Sequence, residues 1–147
     1  MPTVTAEMTV AAPVDKVYEI ARDIERYPDF MEDVESVKIL EQTPERQVSH
    51  WGSIVKEFNR TIQWTEVDYW DETQKSCRWE MTEGDFTAYS GTWAFEPSAE
   101  GTLAKLEVTY EYNVPLIGAL IQGILKKKMQ ANVDSMLTAI KNKAEES

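Results

Sequence analysis

Alternation opens the chain. Val4, Ala6, Met8 and Val10 interleave with Thr3, Thr5, Glu7 and Thr9, the period of two that predicts a half-buried strand. Pro13 then stands where a first helical residue would, with Asp15 in the first turn. Val14, Val17, Tyr18, Ala21 and Ile24 give that helix its apolar stripe. Tyr27-Pro28-Asp29-Phe30 is expected to break it, because a residue preceding proline is disfavoured in the helical region. Strand-like text follows, over roughly Val34–Glu41, Gln47–Lys56, Arg60–Trp70, Lys75–Thr82, Phe86–Phe95 and Leu103–Tyr112. The breaks between these runs are short, so the strands are predicted to form an antiparallel meander. After Pro115 the period changes. Ile117, Leu120, Ile121, Ile124, Leu125, Met129, Val133, Met136, Leu137 and Ile140 recur at three and four, predicting one amphipathic helix of nearly thirty residues, about 40 Å long.

The predicted order is therefore a strand, two short helices, six strands and a long helix. With no repeat or long linker, residues 1–147 read as one α+β domain. A sheet of about seven strands with one apolar face and a helix with one apolar stripe bury both by laying the stripe across a concave sheet. This is a helix-grip arrangement: a curved antiparallel sheet wrapped around the C-terminal helix, where cavities arise naturally.

Charge narrows the partners. The formal net charge is −11, and an acidic surface repels both phosphate backbones and anionic membranes. The apolar run from Val114 to Leu125 is interrupted by Gln122 and too short to span a bilayer. The N-terminus lacks the basic and apolar regions of a signal peptide, and the single cysteine, Cys77, cannot form an intramolecular disulfide. A cytoplasmic protein is expected, with no nucleic-acid partner and no stable membrane insertion.

The chemistry-bearing candidates are mostly aromatic. Trp51, Trp64, Trp70, Trp79 and Trp93 are many tryptophans for this length. If Trp79 faces the helix, strand alternation brings Cys77 and Met81 with it; if Trp93 does, Tyr89, Gly91 and Phe95 share its face. Rings with polar tips suit a cavity wall, against the plainer reading of ordinary core. Trp51, Trp64, Trp79, Met81, Tyr89, Trp93 and Tyr110 are the predicted sheet lining, and Leu125 and Met129 the predicted helix lining. Arg60 shares parity with Ile62 and Trp64 and is a candidate anchor for a ligand carboxylate, enol or phenolate; Arg78 is expected to point outward. His50, the only histidine, neighbours Trp51 and therefore faces water if Trp51 faces the cavity. It has no recognisable partner for base catalysis. Asp29, Glu32, Asp33 and Glu35, and again Glu66, Asp68, Asp71 and Glu72, lack metal-ligand spacing and read as solvated faces and turns. Lys126-Lys127-Lys128 reads as the polar side of the helix. The helix start before it is more apolar than one stripe requires, which suggests an interface, with a homodimer or a pocket mouth as alternatives. No phosphate-binding glycine loop, Ser-His-Asp set or zinc site is present. No catalytic residue, metal or cofactor is predicted.

The chain resembles the START-like superfamily, also called SRPBCC or birch-pollen-allergen-like. Within it, the chain is most similar to bacterial polyketide cyclase/dehydrase and coenzyme Q-binding START-type proteins. The resemblance rests on Ala11-Ala12-Pro13-Val14-Asp15-Lys16-Val17-Tyr18, Asp23-Ile24-Glu25-Arg26-Tyr27-Pro28-Asp29-Phe30, Val34 to Leu40, Gly91-Thr92-Trp93-Ala94-Phe95-Glu96-Pro97 and the long terminal helix. Quinone-type relatives often follow the Tyr-Pro-x-Phe motif with proline and cysteine, where this chain has Met31-Glu32. The resemblance implies binding or transport of a small hydrophobic molecule, such as a lipid, quinone or polyketide, between sheet and helix. Its alternatives are a polyketide cyclase, aromatase or dehydratase, and a protein-interaction module with a filled core. It also implies that the Tyr27–Phe30 loop crosses the open end of the cavity. Phe30 and Ile121 are thus expected at the mouth and Met129 deeper.

Overall fold

The computed structural model describes residues 2–55, 60–112 and 119–146. The first strand, β1 (Thr3–Val10), leads into helix α1 (Val14–Arg22). A single 3-10 turn (Ile24–Arg26) and a one-turn helix, α2 (Tyr27–Phe30), follow. Six strands come next: β2 (Val34–Gln42), β3 (Arg46–Val55), β4 (Arg60–Asp71), β5 (Ser76–Gly84), β6 (Ala88–Ser98) and β7 (Gly101–Glu111). The chain closes with α3 (Ala119–Glu145). The sheet order is β1-β7-β6-β5-β4-β3-β2, with every pair antiparallel. Only β1, carried across the sheet by α1 and α2, departs from a simple meander. The fold is the helix-grip α+β architecture, with α3 packed on β1, β7 and α1.

The Tyr27–Phe30 segment is helical where a break was expected. Tyr27 adopts φ −52° and ψ −41° despite preceding Pro28. Pro28 lies in the first turn of α2, where a missing N–H costs nothing. The buried Tyr27 hydroxyl, donating to the Ala21 carbonyl, holds the turn in place.

Strand alternation fills the concave face. On β7, Ala104, Leu106, Val108 and Tyr110 are buried, and on β1 Val4, opposite Val108, and Val10, opposite the buried Thr102. On α3 the buried series is Leu125, Met129, Val133, Leu137, Ile140 and Ala144, a stripe at three and four residues. Val17, Tyr18, Ala21 and Ile24 of the first helical segments complete the core. Among the described residues, no helix is long and apolar enough to cross a membrane.

Candidate functional site

One aromatic chain lines the centre of the concave face. Tyr27 meets Trp51 edge-on at 5.5 Å. Trp51 stacks on Trp64 at 5.9 Å and 5°; the two are direct partners across β3 and β4. Trp64 lies 5.0 Å from Tyr89, and Tyr89 lies 6.0 Å from Trp79. Trp79 has room because its partner on β6 is Gly91: a Cβ there would stand 2.4 Å from the Trp79 ring and from the Glu107 carbonyl oxygen. Gly91→Ala is therefore expected to cost about 1–3 kcal/mol, and to alter the near-ultraviolet circular dichroism of Trp79. An unchanged spectrum would mean that the ring is not held by this contact.

Two carboxylates sit inside this wall. Glu66 and Asp68, read from sequence as part of a solvated group, are only 4 % and 3 % exposed. They share parity on β4 with Ile62, Trp64 and Trp70, all of them buried. The Trp64 indole N–H donates to Glu66 Oε1 at 2.7 Å. The Ser49 hydroxyl donates to Asp68 Oδ2 at 2.7 Å and itself accepts from the Trp51 indole at 2.9 Å. The two carboxyl groups are neighbours on the same face of β4 and influence one another's ionisation. Burial, then the neighbouring Asp68, push the Glu66 carboxyl well above its usual range. Burial raises Asp68 too, against the opposing effect of Glu66 and Ser49. Glu66 is accordingly the more readily protonated of the two, as expected where two carboxyls share a dry site. Beside them the β4–β5 register shifts between Thr65 and Glu66, leaving Thr82 as the extra residue of a bulge.

The space is in two parts. An inner chamber of about 30 Å³ is bordered by Glu66, Asp68, Trp51, Trp64, Trp70, Trp79, Tyr89 and Trp93, with Asn132 and Met136 of α3. Ser53, Trp64, Tyr89 and Asn132 also border an outer chamber of about 350 Å³, whose walls include Ile54, Ile62, Phe86, Leu125 and Met129. The outer volume is in the range of small-molecule sites. Glu32, Asp33 and Lys128 form its polar rim. Cys77 borders the inner chamber and is buried; burial drives its thiol pKa upward, the condition of an unreactive cysteine.

Of the predicted lining, Trp51, Trp64, Trp79, Tyr89 and Trp93 meet at the inner chamber, and Leu125 and Met129 at the outer one. Met129 is not deeper than this; Asn132 and Met136, one and two turns on, border the inner space. Met81 and Tyr110 border neither chamber and pack in the core. Phe30 is displaced from the expected mouth. It borders a surface depression with Ile20, Asp23 and Lys143, near the opposite end of α3 from Leu125, because helical turns pull the Tyr27–Phe30 segment back against α1. The side chains of Arg60 and Ile121 lie outside the described residues. His50 is on the convex face, within hydrogen-bonding distance of Thr65 Oγ1 and Gln63 Oε1. His50→Ala is thus expected to leave ligand binding within about twofold of wild type; a hundredfold loss in a folded variant would contradict this placement. Arg78 lies over the Tyr69 ring at 4.3 Å. Among the described residues, no group of three or more His, Cys, Asp or Glu could hold a metal ion.

Comparison with known proteins agrees with this architecture. The Thermus thermophilus protein TTHA0849 superposes with a TM-score of 0.92 at 34 % identity, covering 97 % of each chain. The Streptomyces aromatase/cyclase Zhui superposes with a TM-score of 0.85 at 22 % identity, over 98 % of this chain and 93 % of its own, a likeness of fold. The ribosome association toxin RatA of Escherichia coli is 28 % identical over 94 % of this chain and 85 % of its own length. The profile of the family "Polyketide cyclase / dehydrase and lipid transport" matches residues 10–137. With that match spanning most of the chain, the protein belongs to the polyketide cyclase/dehydrase and lipid transport family.

Proposed function

We propose that the protein binds, carries or sequesters a small hydrophobic molecule, lipid-, quinone- or polyketide-like, in the chambers between the sheet and α3. The outer chamber of about 350 Å³, walled by apolar and aromatic side chains, carries this reading. A filled core serving only protein interaction would leave no such space. A net charge of −11 speaks against docking on ribosomal RNA. Apolar ligands are expected to bind in the micromolar range, about −8 kcal/mol. The tryptophans in the wall should report binding as saturable quenching. A panel of quinones, fatty acids, sterols and polycyclic aromatics tests this, and silence across the panel would remove the ligand-binding reading.

The buried acid pair favours a second reading, a cyclase, aromatase or dehydratase. Asp68, the better base, and Glu66, holding a proton, are oriented by Ser49 and Trp64, the division of roles that proton transfer in ring closure or water loss requires. Turnover of a synthetic poly-β-ketone thioester, lost in Asp68→Asn and retained in His50→Ala, would support catalysis; no turnover by the wild type would leave binding alone.

A further inference from the structure

The inner chamber is too small for the body of a ligand. At about 30 Å³ it has room for about one polar heavy atom. The polar groups around it make opposing demands. Asp68 supplies acceptor oxygens. Trp79 is 5 % exposed and borders the same chamber, and its indole N–H is buried without a partner; the Trp70 N–H, on the same wall, is in the same condition. Among the described residues bordering this chamber there is no Lys, Arg or His.

These demands discriminate between head groups. An ammonium only donates, so it satisfies Asp68 and leaves the indole unmet. A carboxylate only accepts, and brings a second negative charge against Asp68. A purely apolar end leaves both indole N–H groups unmet. A hydroxyl donates once and accepts through two lone pairs, so a single oxygen can donate to Asp68 and accept from Trp79. We propose that the site selects hydrophobic alcohols and phenols over acids and amines, with the hydroxyl inserted head-first between Asp68 and Trp79 and the apolar body lying in the outer chamber. This specificity rests on the ligand-binding reading above.

The probes are decan-1-ol, decanoate and decylammonium, followed by tryptophan fluorescence at neutral pH. Decan-1-ol is expected to saturate at least about tenfold more tightly than either charged partner. Any apolar pocket penalises a charge, so two variants, first checked by thermal melt for folding, separate recognition from that general penalty. Asp68→Asn removes the like charge and should narrow the preference over decanoate to within about threefold. Trp79→Phe deletes the indole donor and should weaken decan-1-ol severalfold while leaving decylammonium unchanged. Decanoate or decylammonium binding as tightly as the alcohol to the wild type would overturn the proposal, as would both variants keeping the full wild-type preference. If all three probes are silent while the quinone and polycyclic panel saturates, the hydroxyl preference fails alone. If that panel is silent too, the binding reading fails with it.

Discussion

Val133→Asp is expected to cost at least about 4 kcal/mol, lowering the melting temperature by roughly 10–20 °C. Val133 has 0 % exposure and lies at the centre of the α3 stripe, between Met129 and Leu137. A carboxylate there loses its water, and among the described residues no Lys or Arg is buried to pair with it. The expected gradient runs along the helix. Met129→Asp should cost less than Val133→Asp, because Met129 faces the outer chamber, where water can follow the charge. Lys127→Asp, on the exposed side of the same helix, should stay within about 0.5 kcal/mol of wild type. Thermal melts of the three variants rank them directly. If Met129→Asp melts far below Val133→Asp, the outer chamber is not open to water as the geometry indicates.

Glu66→Gln is expected to stabilise the protein increasingly as pH rises. The sign follows from the proton. Glu66 ionises near 4.5 when unfolded and well above that when folded. The folded state therefore binds more protons across that interval, and stability falls as pH increases through it. The contribution is fully present below about pH 4.5 and is lost as pH rises through the folded pKa. Its slope approaches about 1.4 kcal/mol per pH unit for one proton. Glutamine keeps the geometry: its oxygen can accept from the Trp64 indole as Glu66 Oε1 does, and its neutral amide can face Asp68 as a donor. The variant should thus melt with the wild type near the unfolded pKa of 4.5 and above it by several degrees at about pH 8. Because the acidic surface is common to both proteins, their difference isolates residue 66. Parallel melting curves at all pH values would show that Glu66 is ionised in the folded protein, and that the acid pair does not share a proton.

Much of the architecture was legible as period. Alternation in Ala104, Leu106, Val108 and Tyr110, and the three-and-four recurrence from Leu125 to Ile140, identified the last strand and the gripping helix, because a half-buried strand and a helix laid on a sheet can each bury only one face. Parity likewise placed Trp51, Trp64, Trp79 and Trp93 together, and His50 opposite them. The same parity put Glu66 and Asp68 on the face of Ile62 and Trp64. Local sequence nevertheless groups them with Asp71 and Glu72 as solvated, because burying a carboxylate without partners is costly and local sequence names no partners. The relieving groups are distant in the chain or supplied by the fold: Ser49 and Trp51 come from β3, and the raised pKa of Glu66 arises because the fold buries it beside Asp68.

The sequence by itself determined the element order, the acidic surface, the aromatic face of the sheet and the stripe of α3, since each depends on residue type and spacing along one element. Tertiary structure alone decided where the space lies and what charge it contains. Phe30 faces away from the chambers because two short helical turns redirect the chain after Arg22. Asn132 and Met136 reach the inner chamber because the crossing of α3 over the sheet brings that part of its stripe above Trp64 and Tyr89. The raised pKa of Glu66 follows first from desolvation, a property of packing between elements rather than of any one element.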